Sequence, residues 1–256
     1  MKILAIHAHP DDVEFLAAGT LYLLQDKGHE IVIATMSLGD KGSPDRSREE
    51  ITAIRQEEAR RSAAVIGAEY ACLGLADFEI FDDDATRRRV TEFVRRCRPH
   101  VILAASLNDY LVDHEAAGML ARHAAFFAGV RLYETGQKSV EIVSAPPLDY
   151  IPAVYYMDPI EGVDIYGHPV QPDFCIDITN AMAVKEKMLA CHASQREWLK
   201  KHHGVDLYLD AMREWSSKRG REFGCQYGEG FRQHKGHAYP QDNLLKKLLP
   251  SSVFRI

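Results

Sequence analysis

The first apolar segment of the sequence, residues 2–7, runs directly into a set of polar side chains at His9, Asp11 and Asp12. A neutral imidazole and a carboxylate are common ligands of Zn²⁺, and a second carboxylate beside them can accept a proton from water. His9 and Asp12 are therefore candidate metal ligands, and Asp11 is a candidate general base. The alternative is that one aspartate only caps a following helix, which leaves the other aspartate and His9 without a role.

The pattern around this segment predicts the elements that position these residues. Apolar runs typical of buried strands alternate with runs of helical period, which indicates an α/β fold with a mostly parallel sheet and helices on both faces. The predicted strands are 2–7, 30–36, 69–73 and 100–105, and the predicted helices are 13–27, 48–67, 84–98 and about 113–128. In the helix at 48–67, Arg55 and Glu58 are expected on the polar side.

The second half of the chain is less regular. We expect strands near 153–157 and 174–178, a long helix at 180–200 with Lys185 on its solvent face, and two shorter helices towards the end. These elements form a C-terminal extension of the sheet domain. The prediction is a single domain over residues 1–256, with a core of about 1–133 and a C-terminal part of about 134–256.

In parallel sheets, ligands bind in the loops that leave the carboxyl ends of the strands. Four such loops carry polar residues here, and together they predict one site. The loop after the first strand holds His9, Asp11 and Asp12, and the other candidates in these loops are Asp40, Asp77, Tyr110 and His114. His114 is the natural third metal ligand, because two histidines and one aspartate leave a coordination position open for water.

Composition excludes several classes of function. The 256 residues carry a net charge of −6, so no basic surface for nucleic acid is indicated. No apolar run approaches the ~20 residues of a membrane span, and five scattered cysteines do not suggest a disulfide framework. We expect a cytoplasmic protein with neither nucleic-acid nor membrane partners. A Rossmann dinucleotide site and a serine hydrolase are disfavoured, because the G-x-G-x-x-G and G-x-S-x-G motifs are absent.

Five segments resemble the zinc-dependent N-acetylglucosaminyl deacetylases, the family of LmbE-like proteins, PIG-L and the bacillithiol and mycothiol pathway deacetylases. The segments span nearly the whole chain. They are Ala8-His9-Pro10-Asp11-Asp12, Gly19-Thr20, Arg55-Gln56-Glu57-Glu58-Ala59, Asp113-His114 and Tyr227-Gly228-Glu229-Gly230-Phe231-Arg232.

The resemblance implies a Rossmann-like fold in which zinc is held by His9, Asp12 and His114, with Asp11 as general base. It also implies that Arg55 contacts a sugar hydroxyl or a phosphate-like group and that Asp77 helps to hold the sugar. For Arg55 the alternative is a surface ion pair with Glu50 or Glu58, and for Asp40 it is a role in an ordinary turn. Family members often form trimers or hexamers. Another divalent metal is compatible with the same ligands.

The sequence departs from the family pattern at Leu111. Relatives commonly carry a histidine three positions before the last ligand, which is thought to stabilise the oxyanion or to protonate the leaving amine. Leucine can do neither, and losing such a group typically costs ~10²–10³ in rate. Candidate replacements are Tyr110, His192, His234 and His237, of which His192 is preferred because its segment also resembles the family.

The predicted function is metal-dependent hydrolysis of the N-acetyl group of an N-acetylglucosamine-type sugar or conjugate, which releases acetate and a free amine. Two alternatives remain open. One alternative is an amidase that acts on a non-sugar N-acyl amine. The other is a non-catalytic member of the family that binds metal and sugar. The second alternative rests mainly on Leu111.

Overall fold

The strands and helices of the first half occur close to where the pattern predicts them. The protein is described by a computed structural model over residues 1–136, 144–197 and 208–254. The strands are β1 (Lys2–His7), β2 (Glu30–Ser37), β3 (Glu69–Leu75), β4 (Val101–Ala104), β5 (Ala153–Met157), β6 (Phe174–Asp177), β7 (Gly228–Gln233) and β8 (Val253–Phe254). The helices are α1 (Asp12–Asp26), α2 (Arg48–Ala64), α3 (Asp84–Cys97), α4 (Val112–Phe127), α5 (Met182–Leu189), α6 (Tyr208–Phe223) and α7 (Leu244–Leu248).

Within the described ranges, the strands form one sheet in the order β3-β2-β1-β4-β5-β7-β6-β8. The pairs from β3 to β5 are parallel, whereas β7 pairs antiparallel with β5 and β6, and β8 pairs antiparallel with β6. This confirms the predicted α/β fold with a mostly parallel sheet. The strand order reverses between β1 and β4, and a crevice at such a reversal is where open α/β sheets bind ligands.

Helices cover both faces of the sheet because successive side chains of a strand point to opposite sides. Ile3 and Ala5 of β1 pack into one apolar core together with side chains of α1 and α5. Leu4 and Ile6 pack into a second core with side chains of α3 and α4. Both faces of β1 are therefore buried, which explains why it reads as a continuous apolar run.

The single long helix predicted at 180–200 is wrong. Helix α5 ends at Leu189, and a separate helical turn begins at residue 193, while residues 198–200 lie outside the described part of the chain. The chain turns here so that both the amide and the hydroxyl of Ser194 reach the carboxylate of Glu58, at 2.9 and 2.6 Å. A tertiary contact thus ends the helix.

Lys185 was expected in solvent but is fully buried. Its Nζ lies 2.7 Å from Oε1 of Glu229 in β7. The same carboxylate accepts hydrogen bonds from the amides of Gly19 and Thr20 in α1, at 3.0 and 2.7 Å. A buried lysine needs such a partner because an unpaired charge is costly in the interior. Glu229 therefore joins the C-terminal part to the helix that follows the first polar loop.

None of the helices in the described residues combines the length and the apolar character needed to cross a membrane.

Candidate active site

The loop between β1 and α1 holds the predicted site residues His9 and Asp11, and Asp12 follows as the first residue of α1. Asp11 immediately precedes α1 and has a φ of 105°, a conformation that residues other than glycine rarely adopt. Within the described chain its carboxylate caps no amide of α1. Asp12, the first residue of the helix, accepts a hydrogen bond of 2.7 Å from the amide of His9. The alternative that Asp11 is a simple helix cap is therefore wrong, and strain at a polar loop is typical of a functional site.

The structure brings the three predicted metal ligands together. Nδ1 of His9 lies 3.3 Å from Oδ2 of Asp12 and 3.3 Å from Nε2 of His114. The same Nε2 atom lies 3.5 Å from Oδ1 of Asp12. Two ligand atoms bound at ~2.0–2.1 Å in a tetrahedral shell are themselves about 3.3 Å apart. The spacing of these donor atoms therefore fits a small divalent cation such as Zn²⁺.

His7 is a further histidine in this cluster that the sequence analysis did not single out. Its Nδ1 lies 2.7 Å from Oδ2 of Asp12, and ligand atoms of His7, Asp12 and His114 all lie within 4.8 Å of one another. Its Nε2 is buried and has no hydrogen-bond partner among the described residues. A histidine that ends an otherwise apolar strand two positions before His9 was the available signal.

The imidazole rings of His9 and His114 each lie within hydrogen-bond distance of a carboxylate that is not a predicted metal ligand. Nε2 of His9 lies 3.0 Å from Asp113, and Nδ1 of His114 lies 3.0 Å from Asp109. Asp113 also accepts from the amide of Phe78 at 2.7 Å, and Asp109 accepts from the amide of Ile160 at 3.0 Å. Carboxylates in this position orient histidine ligands and fix their tautomer. Here they also hold the loops that follow β3 and β5.

The electrostatics of the cluster favour positive charge. Burial lowers the pKa of His9, but its hydrogen bonds to Asp113 and Asp12 outweigh burial and raise the pKa to about 10. Burial likewise opposes ionisation of Asp12, yet the nearby His7 and His114 hold the pKa of Asp12 well below its usual range. The carboxylates thus attract either protons or a cation to this point, and a bound metal would meet the same demand.

Asp11 lies beside the cluster and has its own hydrogen-bond donors. Nη2 of Arg55 lies 3.3 Å from Oδ1, and the hydroxyl of Tyr208 donates to Oδ2 at 2.5 Å. Burial raises the pKa of Asp11, while the positive charge of Arg55 opposes that rise. A carboxyl group with a raised pKa is suited to accept a proton and then to return it.

Arg55 is buried, contrary to its expected place on the polar side of α2. Only 4% of it is exposed, and its Nη2 also donates to the carbonyl of Pro10 at 2.7 Å. The alternative of a surface ion pair with Glu50 or Glu58 is not observed within the described structure, since Glu50 takes part in the capping box of α2 and Glu58 binds Ser194. The helical period of α2 could not predict the burial of Arg55, because the polar loop after β1 covers this side of the helix.

The loop after β2 packs against the Arg55 side chain. A Cβ atom at Gly39 would lie 2.8 Å from Cδ of Arg55, and one at Gly42 would lie 2.6 Å from its Nη1. Asp77 holds this loop, because its carboxylate accepts from the amides of Gly39 and Lys41, both at 3.0 Å. Glycine is needed here for close approach, and at Gly39 also for a φ of 74°.

These groups surround a cavity of about 810 Å³, within the range of small-molecule sites. Helix α6 contributes one wall, since Tyr208, Ala211 and Trp215 follow one another at helical spacing. The lining consists of His9, Asp11, Asp12, Phe15, Lys41, Gly42, Arg55, Asp77, Phe78, Tyr110, Leu111, His114, Ile160, Glu161, Gln195, Tyr208, Ala211, Glu214, Trp215 and Lys218. Among the predicted substrate contacts, Arg55, Asp77 and Tyr110 are therefore placed at the cavity.

Four other candidates do not belong to the described lining of this cavity. Asp40 is turned towards Arg48, whose Nε donates to it at 2.8 Å, and it accepts from the amide of Asp77 at 2.8 Å. His192 is buried, and its Nε2 lies 3.1 Å from Glu14. The remaining two, His234 and His237, line a separate, smaller depression.

The residues that sequence reasoning missed come mainly from the second half. Tyr208, Trp215 and Glu161 reach the cavity from segments whose sequence carries no catalytic motif. Glu161 has a φ of 61° and precedes Gly162, where a Cβ atom would lie 2.0 Å from the Trp215 ring. The strained backbone of Glu161 and the need for glycine at position 162 are recognisable only once α6 has packed against them.

Comparison with known proteins agrees with this architecture. Residues 4–125 match the PIG-L family, described as GlcNAc-PI de-N-acetylase. The first half of this chain is therefore similar to the PIG-L family. The matched segment contains all three predicted metal ligands and Asp11, whereas Tyr208 lies beyond it.

The individual proteins to which this chain is similar have different activities. Over 244 residues it is 28% identical to a diacetylchitobiose deacetylase of Thermococcus kodakarensis, with 90% of this chain and 82% of that protein covered. Over 200 residues it is also 28% identical to a 4-oxalmesaconate hydratase of Pseudomonas putida, with 75% and 73% covered. The structure of an N,N'-diacetylchitobiose deacetylase from Pyrococcus horikoshii superimposes with a TM-score of 0.75 at 25% identity, covering 95% of this chain and 88% of that one.

Proposed function

We propose that this protein removes the N-acetyl group of an N-acetylglucosamine-type sugar or conjugate and releases acetate and a free amine. The observation that carries the proposal is the convergence of His9, Asp12 and His114, with donor atoms 3.3–3.5 Å apart, beside Asp11 on the wall of one cavity. The family description and the deacetylase relatives support the same reaction.

His9, Asp12 and His114 are the proposed metal ligands. They line the cavity, whereas His7 is fully buried and does not belong to the described lining. A metal that acts on a substrate needs ligands on the side that the substrate reaches. Zn²⁺ or another divalent ion held there would polarise the acetamide carbonyl and increase the acidity of water. The role that we propose for His7 is to orient the Asp12 carboxylate.

Asp11 moves the protons of the proposed reaction. It accepts a proton from the attacking water and later returns it to the nitrogen of the leaving amine as the C–N bond breaks. Leu111 lines the cavity but has no proton to give. His192 is not placed to supply one, since its ring pairs with Glu14 away from the described lining. Asp11 therefore serves in both transfers.

Arg55, Asp77 and Tyr110 are proposed to contact the sugar or its conjugate. Tyr110 is 68% exposed at the cavity, so its ring is available to a ligand. Asp77 uses its carboxylate oxygens mainly to hold the loop after β2, and Arg55 holds Asp11. We assign Asp40 a role in holding this loop.

A second candidate function is hydration of a carbon–carbon double bond in an unsaturated carboxylic acid. The similarity to the 4-oxalmesaconate hydratase, which extends over 200 residues, favours this function. Leu111 also favours it, because hydration expels no amine and therefore needs no group to protonate one. Arg55, Lys41 and Lys218 line the cavity and add positive charge there, with Arg55 in contact with Asp11 and Lys41 in contact with Glu79. Positive charge suits a carboxylate ligand. The same Asp11 would then accept a proton from the water whose oxygen bonds to one carbon, and would deliver that proton to the other carbon of the former double bond.

The deciding experiment measures both reactions with one preparation. Protein reconstituted with Zn²⁺ is assayed for acetate release from N-acetylglucosamine conjugates and non-sugar acetamides, and for water addition to unsaturated dicarboxylic acids. Acetate release from the sugars that is lost in Asp11→Asn supports the proposal. Release from non-sugar amides only indicates an amidase, and hydration without acetate release indicates the second candidate. Binding without any turnover indicates a non-catalytic protein.

Metal binding is tested by titrating Zn²⁺ into the metal-free protein and into single variants. We expect His9→Ala and His114→Ala to abolish measurable tight binding, and His7→Gln to weaken binding only about 10- to 100-fold. A larger loss in His7→Gln than in His9→Ala would instead assign the ligand role to His7.

A further inference from the structure

Tyr208 reaches the proposed base from the opposite half of the chain. Its hydroxyl donates to Oδ2 of Asp11 at 2.5 Å, across a separation of 197 residues. The side chain is only 8% exposed and lines the cavity. Burial and the nearby Asp11 raise the pKa of Tyr208 well above its usual value, so the phenol remains a hydrogen-bond donor.

The two oxygens of Asp11 have different donors. Oδ2 receives the Tyr208 hydroxyl, and Oδ1 receives Nη2 of Arg55 at the longer distance of 3.3 Å. Asp11 is also held by a strained backbone, with a φ of 105°. The carboxylate plane is therefore determined by contacts from α2 and α6 together with the loop geometry.

We propose that Tyr208 is a positioning residue that orients the Asp11 carboxylate for proton transfer, an assignment that rests on the proposed function. Leu111 cannot protonate the amine, so Asp11 accepts one proton from water and returns it to nitrogen as the C–N bond breaks. The phenol keeps its own proton throughout. Because the same carboxylate acts twice, an error in its orientation affects both steps, and a displacement of about 1 Å can cost ~10²-fold in rate.

The test compares Tyr208→Phe with Tyr155→Phe, which serves as a matched control. Tyr155 is also buried, but its hydroxyl accepts from the amide of Leu244 at 2.7 Å and belongs to a different region of the structure. Each substitution removes one buried hydroxyl and keeps the ring. We expect Tyr208→Phe to lower kcat by about 10- to 100-fold with little change in KM, and Tyr155→Phe to leave kcat within about twofold.

A second measurement reports the contact itself. The urea midpoints of wild type, Tyr208→Phe, Asp11→Asn and the double variant form a thermodynamic cycle, and a hydrogen bond between the two side chains predicts non-additive shifts. An unchanged kcat in Tyr208→Phe, or an equal loss in both tyrosine variants, would overturn the assignment. If wild type hydrolyses no acetamide, the proposed function fails, and additive midpoints would then reject the contact as well.

Discussion

The loops after β1 and β4 differ from the C-terminal part in how they use buried charge. At these loops and the first turn of α4, His9, Asp11 and His114 direct polar atoms into a cavity. In the C-terminal part, Lys185 is paired with Glu229 at 2.7 Å and has no exposed surface. The first arrangement keeps its charges available for a ligand, and the second uses them to hold elements together.

The residues proposed to act on the substrate and the ion pairs that hold the elements together therefore lie in different regions of one fold. The C-terminal part fixes α1 through Glu229 and places α6 against the cavity through Arg219, whose Nε lies 2.8 Å from Asp158 at the end of β5. Tyr208 connects the two regions, because it belongs to α6 and donates a hydrogen bond to Asp11. The comparison predicts that substitutions in the loops remove activity, whereas substitutions of the structural pairs reduce stability.

The largest effect is expected for Asp11→Asn. An amide cannot accept the proton of water, so kcat for acetate release should fall by about 10³-fold or more while the protein stays folded. Steady-state kinetics and thermal unfolding measure the two properties separately, and Asp26→Asn at an exposed position is the control. Retention of full activity in zinc-loaded Asp11→Asn would contradict the assigned role.

Glu229→Gln should mainly affect stability. Removing one partner of a buried ion pair leaves Lys185 uncompensated, and such losses are typically ~3–5 kcal/mol in the free energy of unfolding. Urea denaturation measures the change, and the Lys185→Met/Glu229→Gln double variant should recover part of it. A Glu229→Gln protein of normal stability but low kcat would break the distinction between the two regions.

Asp158 predicts a pH dependence of stability in the C-terminal part. Burial raises the pKa of Asp158 to about 6, against the opposing effects of Arg219 and Arg232, with Glu222 adding to the rise. The pKa of Asp158 in the folded protein exceeds its value of about 4 in the unfolded chain. The protonated Asp158 carboxyl therefore stabilises the folded state fully below about pH 4, and this stabilisation is lost as the pH rises through 6.

The test compares wild type with Asp158→Asn in urea at several pH values. The stability advantage of wild type should shrink by about 3 kcal/mol between pH 4 and above 6, since each pKa unit corresponds to ~1.4 kcal/mol. A difference that is constant over this range would show that Asp158 does not titrate as described.

The smallest effect is expected for Asp109→Asn, in the loop after β4. Asp109 orients His114, and loss of such a partner typically lowers metal affinity about 10- to 100-fold. Zinc titration measures the change, with Asp82→Asn outside the cavity lining described here as the control. Because Asp109 also binds the amide of Ile160, a parallel rise in KM would show that the same carboxylate positions the cavity wall.

The α/β fold and the polar loop after β1 could be predicted from the amino-acid sequence. Both follow from short-range patterns, since strand period and helix period are local properties and the ends of parallel strands meet at one edge of the sheet. The expected roles of His9, Asp11, Asp12 and His114 remain predictions, but their proximity could be anticipated in this way.

Which polar residues face the cavity depends on long-range packing and could not be predicted from the sequence. Arg55 and Lys185 were expected in solvent on helical period alone, and both are buried because distant segments cover them. Tyr208 could not be connected with Asp11 from sequence, because no local rule relates residues 197 positions apart. Long-range packing of α6 against the loop after β1 makes that contact.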